Sequence, residues 1–134
     1  MLPFEFTIKG PPVSSQTRNR SRLQAWKQAV RNAAIAAMPA GAVPITDDVV
    51  VRITYYYDGA SPDVDNITKP IQDALKGAII QDDNRVVENI SRKKPINGSY
   101  QIRGASSVIL LAFAAGDDFI HIKVTEPTNI GVLD

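Results

Sequence analysis

Asp63, Asp65, Asp73, Asp82 and Asp83 gather in the stretch SPDVDNITKPIQDALKGAIIQDDNRV (61–86), with Lys69 and Lys76 among them. Asp63 and Asp65 are two apart, so in extended backbone both carboxylates leave one face, with Cα atoms roughly 6.5 Å apart. Such a pair can reach one hard cation or hold one each of two. Mg²⁺ prefers carboxylate and water oxygens and keeps several waters for substrate phosphates. A third carboxylate must come from elsewhere in the fold. Asp82 and Asp83, on a turn after a short helix, are the candidates if that turn returns beside the helix start. Two ions about 4 Å apart would stabilise both the attacking and the leaving oxygen of a phosphodiester. Lys69, one helical turn past Asp65, points to the same side. An ammonium there could neutralise phosphate charge or hold the attacking water.

The same residues have an ordinary reading. Asp65 or Asn66 can cap a helix. Asp63 follows Pro62 and can serve a turn. Lys69 and Asp73 can form an i,i+4 ion pair worth roughly 0.3–0.5 kcal/mol. Asp82–Asp83–Asn84 can be plain turn composition. Taken together, these readings leave Asp63, Asp65 and Asp83 converging beside a lysine by coincidence.

The elements that must position these groups are legible as patterns. FEFTIK (4–9) alternates like a first strand. GPPVSSQTRNRS (10–21) is a loop. From about Arg20 to Met38, Leu23, Trp26, Val30, Ala33 and Ala37 form an apolar helical stripe, ended by Pro39 and Gly41. VVVRITYYY (49–57) is a β run. The spacing of Ile67, Ile71, Ala74, Leu75 and Ala78 predicts a second helix. It should start between Asp65 and Lys69 and end at Gly77, with Pro70 in or near its first turn, where a missing N–H costs least. RVVENISRKK (85–94) reads as a strand. SSVILLAF (106–113) and FIHIKVTE (119–126) read as two more, joined by AAGDD as a hairpin, and the tail from Pro127 should be loosely held. The expected fold is α/β (α+β): one domain over 1–134, a single mixed sheet with two main helices packed on it. Trp26, the tyrosines at 55–57 and His121 are read as core or sheet-face residues.

Charge gives the acidic stretch its setting. The 134 residues carry 15 bases and 14 acids, net +1. No acid lies between Glu5 and Asp47, where Lys9, Arg18, Arg20, Arg22, Lys27 and Arg31 stand. Without the five clustered aspartates, nine acids face 15 bases, or +6. A basic body around one acidic focus suits a polyanion with a cation between them, and equally a solvated basic helix. Zero cysteines exclude disulfides and thiolate chemistry, and the single histidine excludes a multi-histidine zinc site. The longest apolar run, VILLAFAA (108–115), is too short to span a bilayer. MLPFEFTIKG does not read as a secretory signal, so a cytoplasmic location is expected.

PDVDNITKPIQDALKGAIIQDDNRV resembles the RusA-type Holliday-junction resolvases, small endodeoxyribonucleases common in phages. GPPVSSQTR, KKP and the closing strand FIHIKVTE are weaker echoes of the same family. The resemblance implies Mg²⁺-dependent cleavage of branched DNA, with Mn²⁺ as a substitute ion, in recombination and repair. It implies catalysis by Asp63, Asp65 and Asp83, the metal ligands, helped by Lys69, with Asn66, Asp73 and Asp82 supporting. It also implies a homodimer, which suits a junction with two strands to cut, and no small-molecule cofactor or membrane. Arg18, Arg20, Arg22, Lys27 and Arg31 would contact phosphates; Arg92, Lys93 and Lys94 could join them, and read equally well as an exposed strand protected by charge. The chain departs from the family over NGSYQIRGASSVILLAFAAGDD (97–118), longer than the expected connection. Two rival readings stay open: a non-catalytic DNA-binding protein with a structural acidic cluster, and a nuclease for flaps or forks.

Overall fold

The structure is a computed structural model that describes residues 1–128 and 131–133. Residues 129, 130 and 134, part of the tail from Pro127, lie outside the described residues. Four strands make one mixed sheet: β1 (Phe4–Lys9), β2 (Val49–Tyr57), β3 (Val86–Pro95) and β4 (Phe119–Thr125), in the order β1-β4-β2-β3. β4 runs antiparallel to both β1 and β2, and β3 runs parallel to β2. A parallel pair needs a crossover, and α2 (Val64–Leu75) supplies it.

α1 (Arg20–Ala37) and α2 cover one face of the sheet. Phe6, Val51, Ile53, Ile120 and Ile122 turn towards them and join one apolar core with Leu23, Trp26, Ile67, Ile71 and Leu75. α1 begins at Asn19, whose side chain accepts the Arg22 amide at 3.0 Å. Its buried stripe is Leu23, Trp26, Val30 and Ala34, with Ala33 partly buried against the core and Ala37 exposed. Steps of three, four and four keep pace with 3.6 residues per turn, whereas Ala37 has turned outward. The expected single mixed sheet with two main helices is what forms. At its far end, Gly10 donates to the Asp118 carbonyl at 3.1 Å and Tyr55 to the Asp118 carboxylate at 2.6 Å. A Cβ on Gly10 would collide with that carboxylate, so this close approach requires glycine.

The expected strand over 106–113 is instead a third helix, α3 (Ser107–Ala115). Its run of apolar residues has no period of two, so patterning alone does not separate strand from helix. The end signals decide: Ser106 caps the first turn, and Gly116 closes the last at φ 82°. The sheet also leaves no place for a hairpin, because β4 is already flanked by β1 and β2. α3 lies on the other face, where Phe113 meets Tyr56 and Phe119 with ring centroids 4.8 and 5.1 Å away. His121 also lies in β4 on the back face, 2.6 Å from Glu5, a sheet-face pair as expected. Among the described residues no helix is long and apolar enough to cross a membrane.

Leu75 is fully buried at the junction of α2 with the core. Leu75→Ala should lower unfolding free energy by about 2–5 kcal/mol, read as a fall in urea midpoint at unchanged m-value.

Candidate active site

α2 runs antiparallel to β3, and three polar pins fix their register. Lys93 Nζ donates to Ser61 Oγ at 2.9 Å and to the Pro62 carbonyl at 3.2 Å, just before the helix. Thr68 Oγ1 meets Ser91 Oγ at 2.6 Å, and Asn89 donates to Gln72. The Asp63 end of α2 therefore sits beside Lys93, near the end of β3. Asp83 opens a short 3₁₀ turn (Asp83–Arg85) that leads into the start of β3. Val86 and Lys93 are seven residue steps apart along the strand, on the order of 20 Å at ~3.3 Å each.

Asp63 and Asp65 are thus brought together at the start of α2, while Asp83 stands at the other end. The expected return of that turn to the helix start does not occur in one chain, because β3 is parallel to β2 and the chain re-enters the sheet at the far end. Among the described residues no three acidic or histidine side chains stand close enough to hold one ion.

The five aspartates separate into two classes. Asp73 is engaged: Lys69 Nζ lies 2.6 Å from one of its oxygens and Lys27 Nζ 3.3 Å from the other. Burial pushes its carboxyl up, but the two lysine hydrogen bonds outweigh that and hold it below the ordinary carboxylate range. Asp82 is engaged too, accepting the Asp83 amide at 2.7 Å and lying 3.7 Å from Lys76. Asp63 and Asp65 have no side-chain hydrogen bond or ion pair among the described residues, whereas the Asp83 side chain is engaged with Asp82 and is first among the causes that lower the Asp82 pKa. Asp63 is the N-cap of α2 by position, yet its side chain makes no capping bond, and Asp65 follows in the first turn. Helix capping therefore does not account for either carboxylate. Two partner-free, exposed oxygen donors at one helix start fit a hard divalent ion that keeps waters in its other positions.

Lys69 is one turn past Asp65 as expected, but its ammonium is turned towards Asp73. Its hydrogen bond to Asp73 comes first, the charges of Asp73 and Asp83 adding to it, in raising its pKa. Along the outer face of α2, Asp65, Lys69, Asp73 and Lys76 alternate in sign, a ladder that spaces the carboxylates apart.

Pro70 explains how the loop before α1 reaches this site. Pro70 is the seventh residue of α2, not part of its first turn. It has no N–H, so the Asn66 carbonyl four residues earlier lacks its helical donor. Ser15 fills that place, donating its amide to Asn66 O at 2.9 Å, and Ser15 Oγ lies 3.4 Å from Asn66 Oδ1. Asn66 thus ties the loop before α1 to α2, chiefly through its carbonyl. Ser15, Ser61 and Ser91 were not singled out from the sequence. A helical register that placed Pro70 in the interior would have flagged the orphaned carbonyl.

The basic residues also divide. Arg18, Arg20 and Arg22 are exposed around the start of α1 and form no ion pair among the described residues. Lys27 is taken by Asp73, and Arg31 Nη1 donates to the Lys76 carbonyl at 3.0 Å, so both belong to the α1–α2 seam. On β3, Lys93 faces α2, whereas Arg92 donates to Thr54 at 3.2 Å and Lys94 lies 5.7 Å over the Tyr100 ring, on the back face.

The carboxylate pair and the exposed arginines do not by themselves name a substrate, and the sequence match supplies the family. A match to the endodeoxyribonuclease RusA family covers residues 6–102 of the 134. The chain belongs to the RusA endodeoxyribonucleases. No curated protein matches it. The RusA match takes in α1, β2, α2 and β3, hence every residue of the candidate site, and ends before α3. DNA is accordingly the partner of this RusA protein, and the exposed arginines lie on the same side of the sheet as Asp63.

Pro70→Ala should return a helical donor to Asn66 O and compete with Ser15. The expected outcome is faster hydrogen exchange at the Ser15 amide; unchanged protection would show that the loop is held otherwise. Asp73 has a lowered native pKa, so its stabilisation is fully present above the unfolded value of about 3.9 and is lost as pH falls through the native value. In urea unfolding, the stability gap between wild type and Asp73→Asn should be open at neutral pH and close in that acid window.

Proposed function

We propose that the chain is a Mg²⁺-dependent, structure-selective endonuclease that resolves four-way DNA junctions, serving recombination and repair. The observation that carries this is the pair Asp63 and Asp65: two exposed carboxylates without protein partners, fixed at a helix start within the RusA match. They would hold the ion, with Mn²⁺ as a substitute. The ion supplies Lewis-acid stabilisation of the phosphate and a lowered pKa for bound water. Arg18, Arg20 and Arg22 place the sugar-phosphate backbone by charge alone. Lys69 stands one helical turn past Asp65, and its ammonium, on leaving Asp73, would neutralise charge developing on the phosphate.

Asp83 is proposed as the third carboxylate. One chain holds it at the far end of α2, itself roughly 18 Å long. A complete set then needs either a moved Asp82–Arg85 turn or a second copy of the chain. A homodimer is part of the proposal, since a junction presents two strands related by a twofold axis.

Asp65→Asn should reduce junction cleavage by roughly a hundredfold or more while DNA binding in EDTA is kept or tightened, because local anionic repulsion falls. Wild-type cutting by this variant would remove the metal site. Mixing inactive Asp65→Asn and Asp83→Asn proteins then sorts the two arrangements. Recovered cutting means that two copies share a site, and no recovery places all three carboxylates in one chain. Comparison of junction, flap and linear duplex at one salt concentration tests the substrate class.

A further inference from the structure

Between the loop before α1 and the loop before α2 lies a cleft of about 490 Å³. Its walls include Pro11, Pro12, Gln16 and Arg22 on one side and Ala60 and Pro62 on the other. Pro62 is the residue before Asp63. We propose that this cleft receives one unstacked base of the strand that is cut, from the nucleotide beside the scissile phosphate. The inference rests on Asp63 and Asp65 marking the site of cleavage.

Position is the first reason. Arg22 is a phosphate-type contact at one rim, and the carboxylate pair lies just past the other. A strand held by both must cross the cleft between them. Chemistry is the second. The walls combine apolar C–H surface from Pro11, Val13, Ala60 and Pro62 with hydroxyls, one amide and one guanidinium, which suits the faces and edge of a base and offers too few cations for a phosphate. The volume falls in the range of small-ligand clefts, roughly 300–1,000 Å³. Gln16 is exposed at the rim, and its side-chain amide makes no hydrogen bond among the described residues. A free amide carries both a donor and an acceptor, which suits a base edge. The guanidinium of Arg22 can lie flat on a base as well as hold a phosphate.

Rigidity is the third reason. One wall is bonded to α2 through Ser15 and Asn66, and the other is held by Lys93 through Ser61 and the Pro62 carbonyl. Both walls are therefore fixed relative to Asp63 and Asp65, and little ordering remains for a ligand to impose. The cleft also supplies a reason for preferring branched DNA. Taking a base out of a continuous duplex stack costs a few kcal/mol, and the cost is least where stacking is already broken. A site that must receive an unstacked base is satisfied most readily at a branch point.

The test places 2-aminopurine, which brightens when unstacked, in turn at each nucleotide flanking the branch point of a synthetic junction. The protein is titrated in EDTA, so no cutting is needed. Wild type should brighten the probe at one position. Ala60→Trp, which fills the cleft from an exposed loop position, should abolish that rise while junction affinity stays within about threefold. With Mg²⁺ added, Gln16→Ala should weaken preference among cut positions by roughly tenfold while total cutting persists. No brightening at any position, or equal brightening with Ala60→Trp, overturns the cleft. Brightening in a protein that never cuts keeps the cleft and removes the nuclease reading.

Discussion

The Asn66 carbonyl is where the parts of the site are joined. A helix interior normally closes each carbonyl on an amide four residues later, and Pro70 withholds that amide. The vacancy inside α2 becomes an attachment point for a loop 51 residues away in sequence, through the Ser15 amide. Among the described residues the polar ties from the stretch Pro11 to Asn19 to the carboxylate helix are this bond and the longer Ser15 Oγ–Asn66 Oδ1 contact, both from Ser15. With them, the arginines at the start of α1 and the aspartates at the start of α2 occupy fixed places relative to each other. A proline that weakens its own helix thereby organises the neighbouring one.

The charges on α2 follow a similar division of labour. Asp73 and Asp82 are bonded to lysines and to backbone, and they hold α1, α2 and the turn before β3 together. Asp63 and Asp65 are left without side-chain partners and stand exposed as unpaired negative charges at one helix start. The helix N-terminus favours those carboxylates, since its unpaired amides carry partial positive charge. At the start of α1 the sign is reversed: Arg20 and Arg22 lie where the dipole is already positive, and the first turn holds no acid. That arrangement costs local helix stability and concentrates positive potential where a polyanion would lie.

The back of the sheet is built differently. There α3 presents an apolar run with Leu111 71 % exposed, and Phe113 packs it into an aromatic group with Tyr56, Tyr100 and Phe119. Of the candidate residues only Arg92 and Lys94 face this side, and the RusA match stops before α3. The two faces are separated by β2, whose alternate residues supply both.

The sequence by itself determined the strands at 4–9 and 49–57, both main helices and the membership of the acidic stretch, because each rests on local periodicity, local capping and residue type. It also determined that Asp63 and Asp65 share one place, since two residues of separation leave little freedom. Tertiary structure decided the rest. Only the parallel pairing of β3 with β2 shows that Asp83 re-enters the sheet at the far end of α2, because strand direction is set by the crossover and not by any nearby residue. Only packing shows Lys27 and Arg31 bonded into the α1–α2 seam, although their spacing on the helix surface suited phosphate contact. The run at 108–115 was illegible for a related reason. A short, uniformly apolar segment has no period of its own, so its caps and the sheet positions already filled by β1 and β2 made it a helix.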